Sequence, residues 1–190
     1  MSLPLALKTE LQTIPSQTSY LLIPSYHQIR WAQKIGDRPR PRIGLVWSGA
    51  ASHSNDLKRS IPLEILSVIL DRRYEFHVLQ KEFRAHDHAL LRSLPELQIH
   101  ANEIRDFADT AGLLGQMDLL ITVDTSVAHL AGALGRPTWI LIPYCPDFRW
   151  LLDRSDSPWY PSVRLFRQES PGDWVGVLEK VRLALTEVFR

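Results

Sequence analysis

The sequence predicts an α/β domain, a doubly wound Rossmann-like parallel sheet of about six strands. One stretch carries most of that expectation. Leu119–Val123 is an unbroken apolar run of strand length, the pattern of a strand covered on both faces. Asp124, Thr125 and Ser126 follow at once and suit a helix N-terminus. Residues 127–134 are almost wholly small and apolar, Gly135 fits a C-terminal cap, and Pro137 blocks continuation. Thr138–Ile142 is a second apolar run. Strand, helix and strand at this spacing form a right-handed crossover between parallel neighbours. The second observation is that such alternation runs from Ile43 to the end of the chain.

In order, 43–47 reads as a strand and 61–70 as a helix, with Ser60 as its cap and Pro62 in its first turn. Residues 74–79 are a strand, 86–93 a helix, 97–100 a short strand, and 106–117 a helix leading into Leu119–Val123. A long loop follows Thr138–Ile142, then Val163–Arg167 is the last strand. The closing helix, 173–190, repeats Val175, Leu178, Val181, Leu185 and Val188 at helical spacing. Right-handed crossovers in series predict the strand order 3-2-1-4-5-6, with Ser48 and Asp124 on one edge.

Residues 1–41 stand outside this alternation. Ser25–Ile35 reads as one short helix, capped by Ser25 and closed by Gly36. Alternate prolines make 37–42 a stiff, charged hinge. The arm is an inter-domain linker laid against the body or a disordered tail, and Tyr20, Tyr26 and Trp31 favour the linker. Residues 42–190 form the domain proper, and the chain reads as one piece of a larger protein.

Composition narrows the function. A net charge of +1 with no basic stripe argues against nucleic acid as a partner. No apolar run approaches the ~20 residues of a membrane-spanning helix. The start, MSLPLALKTELQ, has neither the basic region nor the apolar core of a signal peptide. The single cysteine, Cys145, forbids an internal disulfide framework and suits a reducing compartment, so a cytoplasmic location is expected. Between Tyr144 and Pro146, Cys145 reads as a structural thiol.

Several enzyme motifs are excluded. No G-x-G-x-x-G and no G-x-S-x-G occurs, and Ala50 stands where a P-loop needs its lysine. His86 and His88 lie two apart on a helix and face different ways, so they make a poor metal pair. What remains is the carboxyl edge of the sheet, where open parallel folds bind ligands. A helix starting at Thr125 or Ser126 offers amides and partial positive charge to phosphate. Asp124 sits at the strand end and His129 one turn on; the alternative is a capping Asp and a packed His. Lys58 and Arg59 reach a phosphate at that edge or form a solvated charge run. In the 144–161 loop, Phe148, Trp150, Trp159 and Tyr160 pin the connection or stack on a sugar, and pinning is favoured. Asp147 and Arg149 are its polar members most suited to face a ligand.

The segment DTSVAHLAGALGRPT resembles the D-[ST]-x-x-x-H-x-A-x-x-x-G-x-P signature of heptosyltransferase-like glycosyltransferases, glycosyltransferase family 9. It looks like the C-terminal half found in bacterial tetratricopeptide-repeat proteins that carry such a domain. IGLVWSG and PDFRWLLDRSDSPWYPSVRLFRQ extend the resemblance from about Arg42 to the C-terminus. The resemblance implies one half of a GT-B architecture, in which a C-terminal domain holds a nucleotide-diphosphate sugar. The missing N-terminal domain would supply most of the acceptor site and the base. It implies an inverting reaction with no cofactor and no metal, the nucleotide sugar being a substrate. Donor contacts are implied at Ser48, Gly49 and Lys58, with Arg59 competing for the lysine's role. Gln80 falls where the family has a ribose-binding glutamate, and Phe107 and Ala108 start the helix used beside the nucleobase, with ordinary core packing the alternative for both. Asp124, Thr125, Ser126 and His129 complete the set, while the catalytic residue is not assigned. The alternative is a non-catalytic module, derived from such a transferase, that binds a nucleotide or a protein.

Overall fold

The computed structural model describes residues 3–190. In chain order its elements begin with α1 (Leu3–Ala6), α2 (Ser25–Ile35), β1 (Arg42–Val46), α3 (Asp56–Arg59) and α4 (Leu63–Leu66). Then come β2 (Glu75–Val78), α5 (Asp87–Ser93), β3 (Leu97–Ile99), α6 (Phe107–Leu114) and β4 (Leu119–Val123). The chain ends with α7 (Ser126–Ala133), β5 (Thr138–Ile142), β6 (Val163–Arg167) and α8 (Trp174–Val188). All six strands join one parallel sheet in the order β3-β2-β1-β4-β5-β6. This is the doubly wound order expected from the crossovers.

The four inner strands are buried along their whole length, because helices cover both faces. On one face Ile43, Leu45, Phe76, Ile121 and Leu141 pack against Leu66 of α4 and Val177, Leu178 and Val181 of α8. On the other, Val46, Leu79 and Leu120 pack with Leu113 of α6 and Trp31 of α2. Side chains alternating across β1 thus feed two separate cores, as the pleat requires.

The arm supplies part of that second layer. Trp31 is fully buried, and its ring lies against Gly112 of α6. A Cβ at Gly112 would stand 2.6 Å from Trp31 Cδ1 and 2.8 Å from the His27 carbonyl oxygen, so the approach of α2 to α6 needs a residue without a side chain. Beside it the buried Asp109 carboxylate accepts from His27 Nδ1 at 2.9 Å and from the Arg105 amide at 3.0 Å, and it pairs with Arg30. The Tyr20 and Leu21 amides, at 3.0 and 3.1 Å, both donate to the Ala133 carbonyl at the end of α7.

Four local expectations change. The helix expected over 61–70 is α4 followed by a short 3-10 turn, Ser67–Ile69. Pro62, not Ser60, precedes α4, because the Ser60 hydroxyl is engaged with Asp56 and Gly49. Ser25 is the first residue of α2 and Pro24 its cap position, whereas Gly36 closes α2 at φ 72° as expected. In α8 the buried stripe is Val177, Leu178, Val181, Ala184 and Leu185, leaving Val175 and Val188 exposed.

Two imidazoles lie beneath the arm. His77 of β2 is fully buried, its ring parallel to that of His100 (5.3 Å, 8°), with Nδ1 3.0 Å from His100 Nε2. Burial, then His100, then Arg42 hold His77 down to about 3, and burial lowers His100 as well. The unfolded chain therefore takes up protons near pH 6.5 that the folded chain refuses. Stability is full above that pH and falls on acidification, for His77 from about 6.5 to about 3 at up to ~1.4 kcal/mol per pH unit, with His100 adding a loss of the same sign. Urea midpoints should fall between pH 7 and pH 5, above most carboxylate titration, and fall less steeply for His77→Gln. Gly112→Ala should destabilise the domain by about 1–3 kcal/mol, the usual cost of overpacking, seen as a lower urea midpoint at constant pH.

Candidate functional site

Val46 of β1 pairs with Thr122 of β4, so the segments leaving these strands emerge side by side where the strand order reverses. The β1 exit is held by Gln80. Its Oε1 accepts from the amides of Trp47 (3.1 Å) and Ser48 (2.9 Å), and its Nε2 donates to the Glu82 carbonyl (2.6 Å). Gln80, expected to meet a ribose, has both ends of its amide bonded to backbone and lines the smaller of the site's two cavities. Its role in the structure is to shape the turn.

The next segment folds into α3, which polar loop composition did not suggest. Buried Asp56 at its start accepts from the Ser60 hydroxyl at 2.9 Å and pairs with Arg84, whose guanidinium also bonds the Gly49 carbonyl at 3.1 Å. This closed loop aims Arg59 inward and leaves Lys58 exposed. Arg59 Nη1 donates to the Asp124 carbonyl at 2.8 Å. The guanidinium lies over Gly49, where any Cβ would strike it, and Arg59 Nε makes no hydrogen bond, with Asp56 Oδ1 3.9 Å away. Of the two competing cations, Arg59 is the one fixed between β1 and β4.

Beyond β4, Thr125 occupies the cap position of α7, but its hydroxyl lies 3.3 Å from that of Thr122 and makes no capping bond. The first amides of α7 have no earlier helical turn to bond. Asp124 Oδ1 is 3.8 Å from His129 Nε2. The His129 ring stacks on Trp150 (5.2 Å, 16°), and Nδ1 is 3.1 Å from the Tyr160 hydroxyl. Burial lowers the His129 pKa; Asp124 opposes that, Arg149 adds to it and Asp147 opposes it. Lowered from an ordinary value near 6.5, the ring favours its neutral form at pH 7.

Of the eleven residues named for donor contact, all but Ala108 line two cavities. One, of about 360 Å³, includes Ser48, Gly49, Gln80 and Phe107. The other, of about 860 Å³, includes Lys58, Asp124, His129, Asp147 and Arg149. Arg59, Thr125 and Ser126 line both. Phe107 is exposed rather than packed in the core, which leaves its ring open to a ligand. Cys145, expected as a packed thiol, is exposed at the wider cavity.

Two of the loop aromatics pin it, since Trp150 is fully buried and Tyr160 rests on Gly132 of α7, whereas Phe148 is exposed. Sequence reasoning missed that these two rings enclose His129. Ligand atoms of His27, Asp106 and Asp109 also lie within 4.8 Å of one another, but Arg30 and Arg105 already neutralise Asp109. That cluster fastens the arm.

With this geometry in place, comparison with solved structures is informative. The chain superposes on ADP-heptose LPS heptosyltransferase II of E. coli with a TM-score of 0.63 at 19% identity, covering 94% of this chain and 56% of that one. It superposes on a glycosyl transferase family 9 protein of Veillonella parvula with a TM-score of 0.60 at 13% identity, over 90% and 53%. The fold is that of one half of a GT-B glycosyltransferase. Among curated proteins it is 26% identical to protein FlbA of Caulobacter vibrioides over 190 residues, which is 96% of this chain and 31% of FlbA. The chain thus spans about a third of that relative and little over half of either solved structure. The chain matches no protein-family model. Among the described residues no helix is long and apolar enough to cross a membrane.

The two neighbouring cations should separate in a stability assay. Arg59→Ala should cost about 1.5–3 kcal/mol, the range for a hydrogen bond to a charged group. Lys58→Ala should stay within about 0.5 kcal/mol, as at most exposed sites. Chemical denaturation of the two variants reads the difference directly.

Proposed function

We propose that this chain is the donor-binding half of a glycosyltransferase of the heptosyltransferase type, and that it holds a nucleotide-diphosphate sugar at the carboxyl edge of β1 and β4. The observation that carries this reading is the position of Arg59. Its guanidinium is tied to the Asp124 carbonyl at 2.8 Å and borders both cavities together with the α7 start. A fixed cation beside free helix amides suits a diphosphate, and it stabilises the charge that develops as the sugar leaves. In this reading the smaller cavity, walled by Phe107, takes the nucleoside, and the wider one takes the sugar beside Asp124 and His129.

The acceptor and the general base belong to a second GT-B domain across the cleft, which the tetratricopeptide-repeat context of the resemblance would place earlier in a longer, cytoplasmic protein. Residues 1–41 then carry the chain between the two domains. The transfer itself needs that second domain, because orienting the acceptor alone is worth roughly 7–11 kcal/mol of barrier.

Thermal shifts with ADP, GDP, UDP and CDP test the reading. The matching nucleotide should stabilise the chain by about 2.7 kcal/mol at a hundredfold excess over its Kd. Asp124→Ala combined with His129→Ala should shrink that shift while leaving the unliganded protein folded. A double variant that responds like wild type would place the site elsewhere.

A further inference from the structure

Three side chains converge on His129, two of them remote in sequence. Trp150 supplies a flat wall, Tyr160 a hydroxyl at Nδ1, and Asp124 a carboxylate near Nε2. The polarity of the contacts follows from elementary donor chemistry. An ionised carboxylate only accepts, so the edge of the imidazole facing Asp124 favours Nε2–H over a bare lone pair. Nδ1 is then the acceptor and the Tyr160 O–H the donor. The opposite arrangement would set the Nε2 lone pair against the Asp124 oxygen 3.8 Å away.

The surroundings hold this arrangement firmly. Tyr160 fits only because α7 has Gly132 beneath the ring. Trp150 is followed by Leu151 at φ 53° and, two residues on, Asp153 at φ 55°, left-handed conformations that cost a side-chain-bearing residue energy. Arg167 of β6 restrains this strained turn, donating through Nη2 to the Trp150 carbonyl and through Nε to the Arg154 carbonyl at 2.7 Å. Strain kept by dedicated restraints marks a shape with a use. The charged groups facing His129 are Asp124 from the β4 end and Asp147 and Arg149 from the loop, while Tyr20 of the arm faces Tyr160.

We propose that Tyr160 and Trp150 are positioning residues that hold His129 as a neutral imidazole with its proton on Nε2, presented to the diphosphate of the donor. The proposal rests on the donor-site reading above. A neutral, fixed N–H donates to a phosphoryl oxygen without the proton uptake that a free imidazole undergoes near pH 6.5. It adds to Arg59 a second preset donor on the sugar side of the same amides, at no reorganisation during transfer.

The test separates clamp from site. Ring 15N spectra of the unliganded chain, with His129 assigned by its loss in His129→Gln, should show a protonated Nε2 and an unprotonated, hydrogen-bonded Nδ1. In Tyr160→Phe the Nδ1 resonance should move to the position of an imidazole nitrogen with no hydrogen bond. Affinity for the tightest binder among ADP, GDP, UDP and CDP should fall about three- to tenfold, one ordinary hydrogen bond in energy. In the His129→Gln background, Tyr160→Phe should leave nucleotide affinity unchanged, whereas a merely structural tyrosine would weaken binding in both backgrounds. A proton on Nδ1, or an Nδ1 resonance indifferent to Tyr160→Phe, overturns the clamp. Failure of all four nucleotides to bind wild type overturns the donor reading and the clamp's purpose with it, while the ring spectrum still decides the tautomer.

Discussion

The structure depends most on how the backbone is satisfied where β1 and β4 part. In a doubly wound sheet the two central strands send their chains in opposite directions, so no connecting loop covers the gap between them. Here Arg59 spans it. It reaches from α3, on the β1 side, to the carbonyl of Asp124 on the β4 side, and it lies flat because Gly49 has no Cβ. The supporting bonds run back through Asp56, Ser60 and Arg84 to the Gly49 amide and carbonyl. A largely covered guanidinium is costly unless its surroundings are arranged for it. That network arranges them, and it fixes the shape of both cavities at their shared wall.

Much of this was legible in the sequence, and the limits have physical causes. The strands Leu119–Val123, Thr138–Ile142 and Val163–Arg167 match residue for residue: the first two are inner strands, apolar because both faces are covered, and the last is an edge strand whose exposed Arg164 alternates with buried Val163 and Leu165. The region before α4 was misread because Ser60 has the right type and spacing for a cap. Its hydroxyl goes instead to Asp56 and the Gly49 amide, a tertiary choice that overrides local preference. Gln80 illustrates the same limit. Strand-end position is visible in a sequence, but the partners of a side-chain amide are not. Trp150 and Tyr160 stand 21 and 31 residues beyond His129, and no periodicity links a loop aromatic to a helix histidine.

The arm shows that domain edges drawn from pattern and from packing differ. By pattern the sheet domain begins at Arg42, since 37–42 contains alternating prolines. By packing, α2 contributes the fully buried Trp31 to the core under β1 and β4, and Asp109 holds it through His27 and Arg30. An eleven-residue helix is marginal by itself, so α2 owes its stability to that groove. The stretch after Thr18 runs on along α7, where Gly135 at φ 65° leaves room for the Thr18 carbonyl. Tyr20, in turn, faces the Tyr160 that contacts His129.

Asp124 presents an electrostatic problem whose solution orders the site. A carboxylate beside a diphosphate repels it, and at 4 Å the repulsion per charge pair is about 4 kcal/mol at an effective dielectric of 20. The structure divides the residue in two directions. Its carbonyl draws Arg59 to the phosphate side, while its carboxylate turns toward His129 and the wider cavity. Under the donor reading, the negative end of Asp124 then meets the hydroxyls of a sugar, which donate to it, and the phosphates meet Arg59, the α7 amides and Nε2–H. A neutral His129 between the two regions is what keeps them apart. A protonated ring would pair tightly with Asp124 and withdraw both groups from the ligand. Under the same reading, burial, which lowers the His129 pKa, does more than exclude water: it would keep both the donor N–H and the accepting carboxylate free for a ligand.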